Sequence, residues 1–184
     1  MARPAACRIR SVLIALAAIT LLTGCAEAAP DSPFPPRPAD IDVTGIDPCA
    51  ALTPAEQADR GVGPGEPGTG DLGDGPTRIC GWSNFDDGYN YSVQTLPLPA
   101  AVVVGTPDST VHVVDGYGVV QSTAFGDSFP LCSHYIDASD PHGIRVQVMA
   151  TASNEDGSIK DFDEVCGKTT LLTSQALRNL RPAG

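Results

Sequence analysis

Basic residues are scarce in this chain. Its 184 residues include 11 lysines and arginines against 22 aspartates and glutamates, which gives a formal net charge of −11. Proteins that bind nucleic acids carry clustered Lys and Arg side chains to displace counterions from phosphates. The charge balance therefore argues against a nucleic-acid partner.

A long apolar stretch is also missing. The longest run, residues 12–22, has about eleven residues, whereas a membrane-spanning helix needs about 20. The run follows Arg3, Arg8 and Arg10. A positive leader before a short apolar segment is typical of a secretory signal peptide.

The apolar run ends in Leu22-Thr23-Gly24-Cys25, which resembles a bacterial lipobox position by position. We expect residues 1–24 to be a lipoprotein signal peptide and Cys25 to carry the lipid, which would include palmitate. The removed piece holds three arginines and no acid, so the mature charge would be −11 − 3 = −14. An ordinary secretory signal cleaved elsewhere is the alternative.

The lipobox predicts a protein held by its lipid on the outer face of the cell membrane. Residues 25–44 contain five prolines and no hydrophobic periodicity, which is typical of an extended spacer. We expect this linker to be disordered and to make no buried contacts. Residues 45–184 then form a single domain.

Four cysteines remain after Cys7 leaves with the signal peptide and Cys25 is lipidated. In an oxidising compartment, four cysteines allow three connectivities. Their order along the chain favours the disulfides Cys49–Cys80 and Cys132–Cys166. A four-thiolate metal site is disfavoured because the CxxC spacing is missing.

Local patterns predict an α+β fold. Thr53 and Glu56 form a capping box for a short helix that ends at Gly61, and residues 62–76, with six glycines, are expected to form a mobile loop. A second helix is predicted over residues 162–180 from its 3.6-residue spacing. Three strand pairs are predicted from alternating apolar residues: 79–85 with 89–96, 111–114 with 119–122, and 131–137 with 144–149. The expected architecture is an antiparallel sheet of about five to six strands, packed by the C-terminal helix and the short N-terminal helix and joined by two disulfides.

The decapeptide DPCAALTPAE at residues 47–56 and the later Cys80-Gly81-Trp82 carry a resemblance to a known family. They resemble actinobacterial lipoproteins catalogued as a domain of unknown function, in which a D-P-C-x-x-L-T-P-x-E opening precedes a C-x-W strand. The resemblance covers about residues 45–181. It implies a secreted, lipid-anchored envelope protein and supplies no catalytic residues.

No complete catalytic motif is found in the sequence. The segment around Ser128 begins like a nucleophile elbow but lacks the closing glycine, so we interpret Ser128 as a turn residue. His134 shares a strand face with Cys132 and Ile136, which favours a hydrogen-bonded core histidine over a catalytic base. We expect no enzymatic activity, no cofactor and no metal.

Two functions are consistent with these features. The first is a non-enzymatic binding or accessory module for an unknown envelope protein. The second is a carrier of a hydrophobic small molecule or lipid, with a cavity beneath the C-terminal helix near Phe162, Val165 and Leu172. Four aromatic residues could line a cleft, although aromatics at strand spacing more often belong to the core: Trp82, Tyr89, Tyr91 and Tyr135.

Overall fold

The computed structural model describes residues 32–71 and 74–181. The predicted signal peptide and the predicted lipidation site, Cys25, lie outside these residues. In the described part of the chain, no helix is long and apolar enough to span a membrane.

The described residues contain one antiparallel sheet of seven strands, one more than the highest expected number. The strands are β1 Glu66–Asp71, β2 Pro76–Asn84, β3 Tyr89–Leu96, β4 Ser109–Val114, β5 Tyr117–Gly126, β6 Phe129–Ile136 and β7 Gly143–Ala150. Their order is β1-β2-β3-β7-β6-β5-β4. The sheet is thus two meanders, β1–β3 and β4–β7, joined where β7 pairs with β3.

The six strands expected from alternation are present, and β1 is the one that the sequence missed. It lies inside the segment expected to be a mobile loop, and its side chains are mostly exposed. Backbone pairing with β2, rather than the burial of side chains, holds β1 in the sheet. Pro67 and the acidic residues Glu66 and Asp71 are typical of an edge strand.

Two α-helices are present, α1 Pro54–Asp59 and α2 Phe162–Leu180. The capping box is confirmed at α1: Glu56 N donates to Thr53 Oγ1, and Thr53 N donates to the Glu56 carboxylate. Gly61, just after α1, has φ +68°, a conformation that glycine adopts without strain. The expected boundaries of the second helix agree with those of α2.

One face of the sheet packs against α2. Its central strands alternate buried apolar residues with partly exposed polar ones, so Ile144, Val146 and Val148 point toward the helix. On α2, Val165, Leu172, Ala176 and Leu177 are buried at the spacing of one helical face. The interface between sheet and helix is therefore the main hydrophobic core.

Both expected disulfides are present. Cys49–Cys80 joins a 3-10 helix, Pro48–Ala51, to β2, and Cys132–Cys166 joins β6 to α2. Each bond therefore connects a helical segment to the sheet. A disulfide that closes a loop of about 30 residues stabilises a fold by roughly 3–4 kcal/mol in the loop-entropy model.

The prediction of a disordered linker is wrong for residues 32–44, which pack on the domain. Phe34, Ile41 and Val43 are buried, and Ile41 N donates to Ala138 O at 2.9 Å. Arg37 donates hydrogen bonds to three carboxylates, those of Asp40, Asp137 and Asp140. Proline content predicted an extended backbone, but not these contacts with residues about 100 positions away.

The two ends of the sheet are named here by the tyrosines that begin β3 and β5. The Tyr89 end contains the β2–β3 turn, the β5–β6 turn and the start of α2. The Tyr117 end contains the β4–β5 turn, the start of β7 and the docked segment 32–44. Because β7 has eight residues at about 3.3 Å each, the ends lie roughly 25 Å apart.

Candidate functional site

Ser128 lies in the exposed β5–β6 turn with φ +78°, as the interpretation of a turn residue requires. His134 is fully buried between β6 and α2, which agrees with the expected core histidine. Its Nδ1 lies 2.9 Å from Thr173 Oγ1, and its Nε2 lies 3.2 Å from Gln121 Oε1. Both nitrogens are satisfied if Nε2 carries the hydrogen, donating to Gln121, and Nδ1 accepts from Thr173.

Burial keeps His134 neutral. Desolvation, followed by repulsion from His112, lowers the pKa of His134 to about 3. The His112 ring lies edge-on at 5.0 Å, and burial lowers its pKa as well. A histidine held in this way by two neutral partners is a structural element of the core.

Charged and aromatic groups meet in a groove at the Tyr89 end, between α1, α2 and the β2–β3 turn. It consists of two cavities that share Asp87 and Lys168. The first, of about 280 Å³, is lined by Glu56, Asp59, Arg60, Asp87, Tyr91, Lys168, Leu171 and Gln175. The second, of about 310 Å³, is lined by Phe85, Asp86, Asp87, Gly88, Tyr89, Ala152, Ser153, Asn154, Glu155, Lys160, Glu164 and Lys168. We call both together the Tyr89 groove.

The only two lysines of the chain lie in this groove. Lys160 Nζ is 4.5 Å and Lys168 Nζ is 4.3 Å from the centroid of the Tyr89 ring. The Tyr89 hydroxyl donates to Glu164. Since a cation over a tyrosine ring stabilises by about 0.5–2 kcal/mol, the ring fixes both ammonium groups at the surface.

Tyr91 organises the first cavity in a similar way. Its hydroxyl donates to Asp87 Oδ2 at 2.9 Å, and the Arg60 guanidinium lies 4.8 Å from the centroid of its ring. Lys168 Nζ is 3.5 Å from the same Asp87 oxygen, and Arg60 also donates to Gln175. The rings of Tyr89 and Tyr91 belong to the core, while their hydroxyl groups meet the groove.

Both phenols remain protonated at neutral pH. Burial, followed by the hydrogen bonds to Glu164 and Asp87, raises the pKa of Tyr89 and of Tyr91 well above the ordinary range. The two hydroxyl groups therefore act as hydrogen-bond donors to carboxylates. This arrangement suits binding and orientation of groups in the groove.

Two polar atoms in the groove wall are unsatisfied. Asp87 Oδ1 and Arg60 Nε are buried and have no hydrogen-bond partner among the described residues. An unpaired buried polar atom costs about 1–3 kcal/mol, so structures normally supply it with a partner or an ordered water molecule. The groove wall therefore contains, beneath its surface, one acceptor and one donor that the other described residues leave unpaired.

Exposed apolar side chains lie around the same end of the sheet. Eight large hydrophobic residues in the described part of the chain are exposed. Four of them lie in the β2–β3 turn, near the β5–β6 turn, before α2 and on α2: Phe85, Phe125, Ile159 and Leu171. Phe85 and Leu171 line the groove directly. These two side chains give the groove its exposed apolar contact area, and Phe125 packs instead against Phe162, with ring centroids 5.0 Å apart.

Sequence reasoning found the aromatic residues of the groove but not its cations. Trp82, Tyr89 and Tyr91 are buried, as core residues would be, and Tyr135 is half-buried on the opposite face of the sheet. The signal for the groove was the presence of only two lysines, placed eight residues apart at the start of α2. In residues 32–71 and 74–181, no three His, Cys, Asp or Glu side chains form a cluster that could hold a metal ion.

Comparison with known proteins gives one match. The model of a family described as Protein of unknown function (DUF3558) matches residues 20–179 of the chain. No curated protein and no solved structure matches the chain. The matched range includes the DPCAALTPAE opening, both disulfides and nearly all of α2, which confirms the resemblance to a domain of unknown function. The chain belongs to the DUF3558 family.

Proposed function

We propose that the protein is a lipid-anchored, non-enzymatic binding module of the cell envelope that presents the Tyr89 groove to a partner protein. The observation that carries this proposal is the groove itself, where the exposed side chains of Phe85 and Leu171 border a set of charged groups. Interaction sites combine an apolar contact area with polar groups that fix orientation.

The path of the chain supports this arrangement. Phe34, the first buried residue of the docked segment, follows Cys25 by 34 − 25 = 9 residues, which reach at most about 30 Å. Phe34 packs on Gly118 and Val120, on the face of the sheet opposite α2, whereas the Tyr89 groove lies beside α2. A lipid on Cys25 would therefore be connected through the face that lacks the groove, and the groove would stay accessible to an envelope partner.

The charges of the groove indicate the chemistry of the partner. Its lining includes six acidic side chains, Glu56, Asp59, Asp86, Asp87, Glu155 and Glu164. It includes three basic side chains, Arg60, Lys160 and Lys168, so the formal balance is 3 − 6 = −3. A partner surface that combines Lys or Arg with apolar side chains fits best, and its binding should weaken as salt increases.

The packing beneath α2 favours a module over a carrier. Of the three side chains expected near a carrier cavity, Val165 and Leu172 are fully buried, and Phe162 is half-buried against Phe125. The His134–Thr173 hydrogen bond and the Cys132–Cys166 disulfide occupy the same interface. Stoichiometric lipid in native mass spectra of the purified protein would reverse this preference.

Site-specific photo-crosslinking on intact cells tests the module. Benzoylphenylalanine replaces Leu171, which is exposed at the groove, or Thr69, which is exposed on the edge strand β1. We expect a discrete adduct from position 171 and none of the same mass from position 69. Equal adduct patterns from both positions would contradict a binding site in the groove.

A matched pair of charge reversals adds an electrostatic test. Glu155→Lys removes a carboxylate from the groove, whereas Glu66→Lys makes the same change in net charge on β1. The adduct at position 171 should decrease several-fold with Glu155→Lys and stay unchanged with Glu66→Lys. Equal loss in both variants would mean that only the net charge of the protein matters.

A further inference from the structure

A second group of exposed apolar side chains lies on the edge strand β4 and on the segment before it, which packs over β5 and β6. It consists of Val111 and Val113 on β4 and Val102 and Val104 in the preceding segment, with exposed fractions between 36% and 56%. We call these four residues the valine patch. None of them lines the Tyr89 groove.

The valine patch lies beside the point where the N-terminal segment reaches the domain. Phe34, Ala100 and Val120 form a small buried cluster on the face of the sheet opposite α2. Val111 pairs with Val120 in the β4–β5 ladder, and Val113 pairs with Gly118. A Cβ atom on Gly118 would lie 2.5 Å from the Phe34 side chain, so Phe34 rests directly on that position.

The two segments that carry the patch hold few charges. Residues 96–107 and 109–114 contain no Asp, Glu, Lys or Arg, although 18% of the whole chain is charged, and the exposed Asp108 between them is the one charged residue from 96 to 114. His112 lies on the other face of β4 against His134, and burial lowers its pKa. Contact of the valine side chains with a less polar environment therefore has to leave a single carboxylate, that of Asp108 just before β4, in water.

We propose that the valine patch rests on the lipid bilayer as a second, non-covalent membrane contact. This inference depends on the anchoring through Cys25 proposed above. The nine residues between Cys25 and Phe34 limit the reach to about 30 Å, so the lipid keeps the patch at a high effective concentration near the membrane. A few exposed apolar side chains then suffice to hold an orientation, although they would not bind a vesicle on their own.

A second copy of the chain, paired through the edge of β4, is the competing occupant. The bilayer is favoured because the patch adjoins the end of the chain that leads to the lipid. It is also favoured because the four valine side chains are apolar and uncharged, so their contact with lipid does not depend on an anionic headgroup. The oligomeric state on the membrane separates the two cases.

Quenching by brominated lipid tests the contact. The lipidated full chain, as wild type and as the variants Val113→Trp, Val102→Trp and Phe85→Trp, is placed on phosphatidylcholine vesicles with or without acyl-chain bromine. All three positions are exposed, and the native Trp82 is buried and provides a common background. Bromine quenches tryptophan only at contact range.

We expect brominated vesicles to remove about half or more of the added emission of V113W and V102W, because interfacial side chains reach the boundary of the acyl chains. F85W, at the other end of the sheet, should lose almost none. Unquenched V113W and V102W on vesicles that carry the protein would overturn the proposal, as would equal quenching of F85W. A dimer crosslinked through β4 would overturn it in favour of a second copy. A protein that does not sediment with vesicles in any variant would overturn the anchoring itself.

Discussion

At the Tyr117 end Arg37 is enclosed by three carboxylates, whereas at the Tyr89 end Lys160 and Lys168 lie against an aromatic ring at the surface. The Arg37 contacts fasten residues 32–44 to the domain and leave the guanidinium fully partnered. The lysines border a groove in which Asp87 Oδ1 has no partner among the described residues. The charges of one end therefore join residues 32–44 to the domain, whereas those of the other end line a surface groove.

The same contrast holds for two phenylalanines. Phe34, in the docked segment, is 7% exposed, and Phe85, at the groove, is 89% exposed. Burial of an aromatic ring stabilises the folded state, while a ring in water contributes nothing to it. Substitutions at the two ends should thus separate stability from binding.

The largest expected effect comes from deleting residues 26–44. The deletion removes the buried side chains of Phe34, Ile41 and Val43 and the Arg37 ion pairs. The loss of three buried hydrophobic side chains, at about 2–4 kcal/mol each, removes most of the stability of an ordinary domain. Urea denaturation should show a protein that is largely unfolded, and an unchanged midpoint would mean that the segment does not pack.

Alanine substitutions of Phe34 and Phe85 form a matched pair, with a smaller expected change in the free energy of unfolding. Phe34→Ala should lower the free energy of unfolding by about 3–4 kcal/mol through lost burial and a cavity next to Gly118. Phe85→Ala should change it by less than about 0.5 kcal/mol, as exposed substitutions usually do. Thermal denaturation of both variants measures the difference, which vanishes if both rings are equally buried.

The sequence predicted the parts of this fold that local patterns determine. Alternation at Ile144, Val146 and Val148 gave a strand, and apolar spacing gave α2. It missed β1 because that strand is held by backbone pairing, which leaves no apolar pattern in a glycine-rich segment. It missed the docking of Arg37 because Asp137 and Asp140 are about 100 residues away along the chain.

The groove was hidden from sequence reasoning for the same reason. Tyr89 showed the apolar character of a core residue, and Lys168 the polar character of a helix surface. Their contact joins residues that are 168 − 89 = 79 positions apart. Only the fold brings the hydroxyl group, the carboxylates and the ammonium groups together.

The pH dependence of stability tests the burial of His134 between β6 and α2. Its folded pKa, about 3, lies below the ordinary value of 6.5 because the ring is buried and His112 is near. Between these values the unfolded chain binds a proton that the native protein does not, so stability falls as pH falls. The limit is about 1.4 kcal/mol per pH unit.

His134→Gln removes this proton linkage. Urea denaturation at pH 7, 6 and 5 should show that wild type loses about 1 kcal/mol more than the variant between pH 6 and pH 5. Carboxylates titrate in both proteins and cancel in the comparison, whereas His112 is coupled to His134, so the difference reports on the histidine pair. Parallel curves would mean that the pair titrates alike in the folded and the unfolded chain.

The smallest expected effect concerns the β5–β6 turn at the Tyr89 end. Asp127 and Ser128 have φ values of +49° and +78°, which strain residues other than glycine. Ser128→Gly should raise the free energy of unfolding by about 0.5 kcal/mol, with part of the gain offset by a more flexible unfolded chain. A lower thermal midpoint for this variant would contradict the interpretation that the turn is strained.

Lysine labelling on intact cells tests most directly whether a partner occupies the Tyr89 groove. The chain has only two lysines, and both line the groove, so modification of the peptides that contain Lys160 and Lys168 by a membrane-impermeant amine reagent reports on this site. We expect Lys160 and Lys168 to react in the purified protein and to be protected several-fold on the cell, while a lysine introduced by Glu66→Lys reacts equally in both. Equal labelling of the groove lysines in the two settings would contradict a groove that binds a partner.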